Sequence, residues 1–333
     1  MVDDCDDVRG NAPIGTVRRA LIAAFGSARA DAVGPVAGGA SGALPYRVEI
    51  GERRYLVRLE GPASPLRNPH QYVSMRIAAE AGIAPRLYYA DAAEGVAVMD
   101  FIEQRSLHAY PGGRRALLRA LGEMLGRVQA TQRFPRFVEY PDIVARLWAH
   151  VGRTGLFAPG VLDPYTDRLV RIRETYAWDL ARSVSSHNDL VPRNILFDGE
   201  RLWLIDWESA YCNDPAVDAA IVLDNFAALP ELDCVLLQAW LGRAPDEALR
   251  ARLALVRKLT RLYYAGVLLS AAAASSGAVA DSDLSVPTPA AFQRAIRDGR
   301  VMPGAAETKR ILGKMYLASF LMGGVPPGLD AAV

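Results

Sequence analysis

Ser186-His187-Asn188-Asp189-Leu190-Val191-Pro192-Arg193-Asn194-Ile195-Leu196-Phe197, followed by Leu202-Trp203-Leu204-Ile205-Asp206-Trp207-Glu208, decides how the rest of the chain is read. Asp189 and Asn194 stand five residues apart, and Asp206 comes twelve residues after Asn194. Pro192 and the lack of a helical apolar period make the segment around Asp189 a loop. Asn194 to Phe197 then reads as a strand and Asp198-Gly199 as a hairpin turn. The apolar run Leu202 to Ile205 reads as a second, buried strand that ends at Asp206. The pattern would bring an Asp, an Asn and a second Asp toward one point.

Those residue types suit phosphoryl transfer. A carboxylate can orient an attacking hydroxyl and accept its proton, and a hard magnesium ion takes carboxylate and amide oxygens beside nucleotide phosphates. Asp-x-x-x-x-Asn with a His two residues earlier matches the spacing of a kinase catalytic loop. Asp189 is therefore the candidate base, His187 a brace for the loop, and Asn194 and Asp206 the candidate metal ligands. A solvated hairpin with ordinary polar turn residues would explain a lone Asp and Asn. It does not explain them together with His187 and a strand ending in Asp206-Trp207-Glu208.

The rest of the composition narrows the class. The 333 residues are 51% hydrophobic and 23% charged, with a formal net charge of +1. That is a globular balance, with no electrostatic footprint for nucleic acid or an anionic membrane. Cys5, Cys212 and Cys234 are scattered, odd in number and without ligand spacing, so neither a disulfide framework nor a zinc site is expected. The chain starts with acidic residues where a signal peptide would be basic. Residues 262–280 carry no charge, but they are mostly Ala, Gly and Ser, with tyrosines at one end. A buried helix running into a loop is expected there in place of a membrane span, and the protein reads as cytoplasmic.

Along the chain, residues 1–12 read as frayed and Thr16 to Phe25 as an amphipathic helix. Val36 to Ile50 holds a glycine-rich turn and a strand, and Tyr55 to Leu59 is a second strand after the Gly51-Glu52 turn. Gly38, Gly39 and Ser41 can bring backbone N–H groups onto phosphates, although no Gly-Lys-Ser/Thr follows to make a P-loop. Arg58 sits mid-strand, where a kinase places a lysine for the phosphates. Asn68 to Ala81 reads as a helix stopped by Gly82, followed by strands over 84–90 and 95–102. From Ser106 the chain turns helical, with helices expected at 114–131, 142–153, 162–183, from Asp214-Pro215 through Phe226, and at 247–274, 289–298 and 305–322.

The segment Ser186 to Ala219, including Asn213-Asp214-Pro215-Ala216-Val217-Asp218, resembles the aminoglycoside phosphotransferase and choline kinase superfamily, and within it the bacterial choline kinase-like branch. The resemblance implies a protein-kinase-like two-lobed α+β fold. Its N-terminal nucleotide-binding lobe, residues 1–102, would be a small antiparallel sheet with one or two helices. Its C-terminal lobe, residues 103–333, would be mainly helical, with the catalytic loop, a short β-hairpin and the acceptor site. It implies ATP and Mg2+, with phosphate contacts from Arg58, a hinge at Met99 to Phe101 whose backbone receives adenine, and Asp218 as the acid that holds the catalytic loop. It also implies a helix Glu paired with the strand cation, where this chain offers only His70 or Gln71.

For the acceptor, Glu208 and Asp224 supply acid and Trp207, Tyr211 and Tyr264 aromatic faces for a cationic amino alcohol such as choline or ethanolamine. Aminoglycosides, other small hydroxyl metabolites and a nucleotide-binding module without turnover stay open as alternatives, as does the oligomeric state.

Overall fold

The computed structural model describes residues 8–36, 42–61, 68–227, 229–275 and 280–322. Gly38, Gly39, Ser41 and the terminal Gly323-Gly324 segment lie outside the described residues. The chain forms two compact units, one of Met1–Ala109 with Ile195–Tyr211 and one of Tyr110–Asn194 with Cys212–Val333.

In the first unit, helix α1 (Val8–Phe25) precedes strands β1 (Ala32–Pro35), β2 (Leu44–Ile50) and β3 (Arg53–Leu59). Helix α2 (Gln71–Glu80) and strands β4 (Leu87–Asp91) and β5 (Val96–Asp100) follow. The strands make one antiparallel sheet in the order β1-β2-β3-β5-β4. Tyr55, Val57 and Leu59 alternate along β3 onto the face that packs with Val17, Ala20 and Leu21 of α1. Burying each large apolar side chain in such a core contributes roughly 1.5–3 kcal/mol. Strand β1 has no sequence signal, because Gly34 and Pro35 are poor strand residues. It forms as an edge, paired only with β2.

Ile195–Phe197 and Leu202–Leu204 pair as the expected hairpin, and Asp198 Oδ1 accepts the Glu200 and Arg201 amides across its turn. This hairpin belongs with the N-terminal sheet, although a simple division at residue 102 would leave it in the second unit. Hydrogen bonds explain the difference. Leu204 N–H donates to Ile83 O, Arg105 N–H to Phe197 O, and the side chains of Asn68 and Ser74 both donate to Ala210 O.

The second unit is helical: α3 (Gly113–Gln129), α4 (Tyr140–Arg153), α5 (Asp163–Thr175), α6 (Ala216–Phe226), α7 (Pro230–Leu241), α8 (Glu247–Ser275), α9 (Pro289–Arg297) and α10 (Ala306–Met322). Leu117, Leu118, Leu121, Met124, Leu125 and Val128 form the buried stripe of α3, as their spacing requires. Helix α5 ends at Thr175, eight residues before the expected 183. Tyr176 leaves the helix with extended backbone, and its hydroxyl donates to Asp214 while Arg252 lies over its ring. No helix among the described residues is long and apolar enough to cross a membrane. Within the uncharged run, residues 262–275 form the C-terminal half of α8, with Tyr264, Ala265, Leu268, Leu269 and Ala272 buried, and residues 276–279 lie outside the described residues.

Glycines set the closest helix contacts. A Cβ on Gly266 would stand 2.8 Å from Leu147 of α4, and one on Gly313 would stand 2.7 Å from Leu269 of α8. At Gly122 of α3 it would meet Leu236 O at 2.5 Å and Trp240 N at 2.9 Å, both backbone atoms of α7. Gly122→Ala should therefore force α3 and α7 apart and cost about 1–3 kcal/mol, the range of overpacked cores. Equilibrium urea unfolding would measure it, and an unchanged midpoint would contradict this packing.

Candidate active site

The catalytic-type loop is built on a buried carboxylate. Asp218, in the first turn of α6, is fully buried and accepts the backbone N–H groups of His187 at 2.8 Å and Asn188 at 2.7 Å, one on each oxygen. Burial pushes its carboxyl group up, and the His187 side chain and the two amides oppose that shift. Asn188 has positive φ (63°) and is held there by the Asn213 amide, which donates to its Oδ1 at 2.7 Å. Helix α6 starts at Ala216, one residue later than an Asp214 cap with Pro215 as first helical residue would place it: Pro215 holds the N-cap position, and Asp214 just before it accepts Ala216 N–H at 2.8 Å.

This support points Asp189 outward at the end of the loop. Asn194 Nδ2 donates to both the Asp189 carbonyl and Oδ2, each at 2.8 Å. With its nitrogen so used, Asn194 has its amide oxygen to offer a cation. Arg193 Nη2 lies 3.4 Å from Oδ2, and the Tyr264 hydroxyl donates to Oδ1 at 2.8 Å from α8. Burial pushes the Tyr264 phenol well above its usual range, and the adjacent Asp189 charge adds to the shift. His187 is fully buried, and the loop-bracing bond it makes to Asp218 comes from its backbone.

In the first unit, Arg58 is only 9% exposed, which rules out a solvated arginine on the strand face. Its Nη2 reaches Asp206 at 3.2 Å and Glu208 at 3.0 Å, while Nη1 is buried without a hydrogen-bond partner among the described residues. Asp206 itself has positive φ (64°), a conformation that non-glycine residues seldom adopt outside functional sites. Gln71, at the start of α2, donates to Glu60 beside β3. The carboxylate partners of the strand cation therefore come from the hairpin end, and α2 supplies none. Met99 is buried mid-strand. The amides of Asp100 and Phe101 already donate to Arg86 O and Arg54 O.

The aromatic and acidic residues named for the acceptor fall in different surroundings. Trp207 and Tyr211 are each 2% exposed, with the Trp207 indole N–H on Leu204 O, so both are core side chains. Asp224 is buried against the guanidinium groups of Arg257 and Arg261. Tyr264 stands beside Asp189, in a cluster of which the sequence indicated Tyr263 and Tyr264 and not Tyr140 and Tyr316. Its ring packs edge-on to the half-buried Tyr263 (5.5 Å) and against Tyr316 (5.9 Å), and Tyr140 lies 6.0 Å from Tyr263. The adjacent pair Tyr263-Tyr264 inside an apolar helix was a usable signal. Tyr140 and Tyr316 carried none, since only tertiary packing brings α4 and α10 to α8.

A sheet that buries a strand cation and a helical unit with an Asp-to-Asn loop are the components of a kinase-like α+β phosphotransferase. Residues 33–255 match the family described as APH, phosphotransferase enzyme family, and the chain belongs to that family. Among curated proteins, Protein LicA of Haemophilus influenzae is 41% identical over 54 residues, 16% of this chain and 20% of that protein. The chain thus matches only about a fifth of the length of that relative.

Among solved structures, a choline/ethanolamine kinase family protein from Mesorhizobium loti superposes with a TM-score of 0.63 at 22% identity, over 92% of this chain and 98% of that one. Choline kinase LicA from Streptococcus pneumoniae gives 0.61 at 16% identity, covering 85% and 97%. A spectinomycin phosphotransferase with ADP and spectinomycin gives 0.52 at 14%, covering 72% and 83%. These likenesses concern the fold.

Two outcomes follow from the geometry. Asp218→Ala leaves two buried amides unpaired at roughly 1–3 kcal/mol each, so thermal stability and any activity should fall together. A folded, active Asp218→Ala protein would contradict the bracing role. The second outcome concerns alkaline pH. Burial raises Tyr264 and Tyr176 above 10.0, with Asp189 and Asp214 respectively adding to the shift. The unfolded chain therefore releases these protons first. Their stabilisation is complete below pH 10 and is lost as pH rises above it. Melting temperature should decline beyond about pH 10, and less steeply in Tyr264→Phe or Tyr176→Phe.

Proposed function

We propose that the protein transfers the γ-phosphoryl group of ATP, with magnesium, to the hydroxyl of a small cationic amino alcohol of the choline or ethanolamine kind. The observation that carries this reading is Asp189, whose loop backbone is held by Asp218 and whose carboxylate accepts the Tyr264 hydroxyl beside the half-buried Tyr263 in the same unit. Aromatic faces attract a quaternary or primary ammonium group. The pairing of acids with arginines in this unit favours a single cation over a polycationic sugar. Asp214 is paired with Arg252, and Asp224 and Asp233 with Arg257, so little free negative charge remains for several amines.

The acceptor oxygen attacks the γ-phosphorus as the bond to the ADP oxygen breaks, and its proton passes to Asp189. Positioning and charge compensation would supply most of the rate gain. The unpartnered Nη1 of Arg58 offers a donor for a phosphate oxygen, and Glu208 holds the same guanidinium. The donor chemistry suits magnesium. In the first unit Asp206 offers a carboxylate and in the second Asn194 offers an amide oxygen, each a ligand type for an ion that takes few protein oxygens and fills its shell with phosphate and water. When bound, it would neutralise charge on the transferring phosphates. Since the Asp100 and Phe101 amides are used within the sheet, adenine is assigned to the backbone from Ile102 onward. Dependence on ATP puts such an enzyme in the cytoplasm.

Asp189→Asn should lower phosphate transfer by about 10²–10⁴-fold, the usual loss for a general base, while melting near the wild-type temperature. A panel of choline, ethanolamine, aminoglycosides and sugars, read by transfer of labelled γ-phosphate, tests the acceptor. Turnover with choline or ethanolamine alone supports the reading, and preference for an aminoglycoside or sugar overturns it. No magnesium-dependent ATP consumption with any acceptor would make the protein a binding module.

A further inference from the structure

We propose that Tyr264 is a positioning residue for Asp189, setting the rotation of its carboxylate so that one lone pair of Oδ1 faces the incoming hydroxyl. This rests on reading Asp189 as the base. A carboxylate has about four acceptor positions. On Oδ2 two are met from within the loop, by Asn194 Nδ2 at 2.8 Å and Arg193 Nη2 at 3.4 Å. On Oδ1 one is met by the Tyr264 hydroxyl at 2.8 Å, which leaves a single position for an acceptor O–H on that oxygen.

The loop donors cannot fix that rotation alone, because both contact the same oxygen. Tyr264 can, because it donates to the other oxygen from a separate element, α8. One turn earlier, Arg261 bonds Asp224 of α6 with Nε and Nη2 and donates to Ser319 O of α10 with Nη1. Two residues later, Gly266 lets α8 press onto Leu147 of α4. Tyr264 is 5% exposed between these anchors. A phenol bonded to a carboxylate is a charge-assisted contact, stronger and more directional than one between neutral groups. Arg193 is the charged group that faces the Asp189 carboxylate from the loop, and Tyr264 is the titratable one from α8. The rings of Tyr140, Tyr263 and Tyr316 belong to the surroundings of Tyr264, and Asp218 contacts the loop backbone.

The experiment is steady-state kinetics of full-length Tyr264→Phe with whichever acceptor the panel selects, beside Asp189→Asn and Tyr165→Phe. Phenylalanine keeps the ring that would contact the acceptor and removes only the donor. The expected result is a fall in kcat of roughly tenfold or more with the acceptor KM within about twofold of wild type. Tyr165, buried against Trp148 and Phe320, controls for loss of a buried tyrosine hydroxyl in this helical unit, and its variant should keep wild-type kcat.

Wild-type kcat in Tyr264→Phe, with Asp189→Asn inactive, overturns the positioning role and leaves the proposed base standing. A raised KM with unchanged kcat also overturns it, making Tyr264 a wall only. An equal loss of kcat in Tyr165→Phe does the same by assigning the effect to packing. Full activity in Asp189→Asn removes the underlying reading and the inference together. Should Tyr264→Phe melt early, its kcat is measured below its own transition, where the same kcat and KM criteria decide.

Discussion

The site depends on one buried carboxylate meeting two backbone amides. Burying Asp218 without compensation would cost several kcal/mol, so the arrangement exists only because His187 and Asn188 each turn an N–H onto it. That requirement bends the chain. Asn188 enters the left-handed region and is fixed there by Asp218, by Asn213 and by its own bond to Ser186 O at 3.3 Å. A strained residue persists when its surroundings over-determine it, as here. The direction of Asp189 and the reach of Asn194 follow from that bend.

A second set of buried charges fixes what faces the loop. Arg257 and Arg261 converge on Asp224, and Arg252 on Asp214, so α8 is tied to α6 along its length. Buried ion pairs of this kind add little net stability, because desolvation offsets most of the attraction. What they supply is register, since a slip of α8 would strand a charge in the core. The helix that carries Asp218 and the helix that carries Tyr264 are thus held to each other by the same arginines. Loop backbone and loop carboxylate are oriented from one rigid pair.

The sequence made this local chemistry legible and left its tertiary partners hidden. The hairpin, the start of α6 near Asp214-Pro215 and the α3 stripe were readable because their signals are short-range: a turn dipeptide, an Asp-Pro pair, an apolar period. Asp218 was readable only through resemblance, since an Asp in an apolar helix says nothing of which amides it meets. The end of α5 was missed because Tyr176 leaves the helix to reach Asp214, a contact 38 residues away. Strand β1 was missed because Gly34 and Pro35 argue against a strand, and pairing to β2 overrides that preference. Of the tyrosine cluster, the adjacent pair Tyr263-Tyr264 was legible, and Tyr140 and Tyr316 were not.

The first unit solves the matching problem for its cation in its own way. A basic residue at the centre of a buried strand needs carboxylate partners, and in this chain α2 begins with Gln71, which turns to Glu60 instead. Arg58 is answered by Asp206 and Glu208, two residues apart on the segment that leaves the hairpin. The left-handed turn at Asp206 is what lets both carboxylates reach one guanidinium nitrogen. Asn68 just ahead of α2 and Ser74 within it both donate to Ala210 O and so anchor the far end of the same segment. The orientation of Arg58 therefore depends on the hairpin that follows the catalytic loop, which explains why Ile195–Tyr211 packs with the sheet despite its place in the chain.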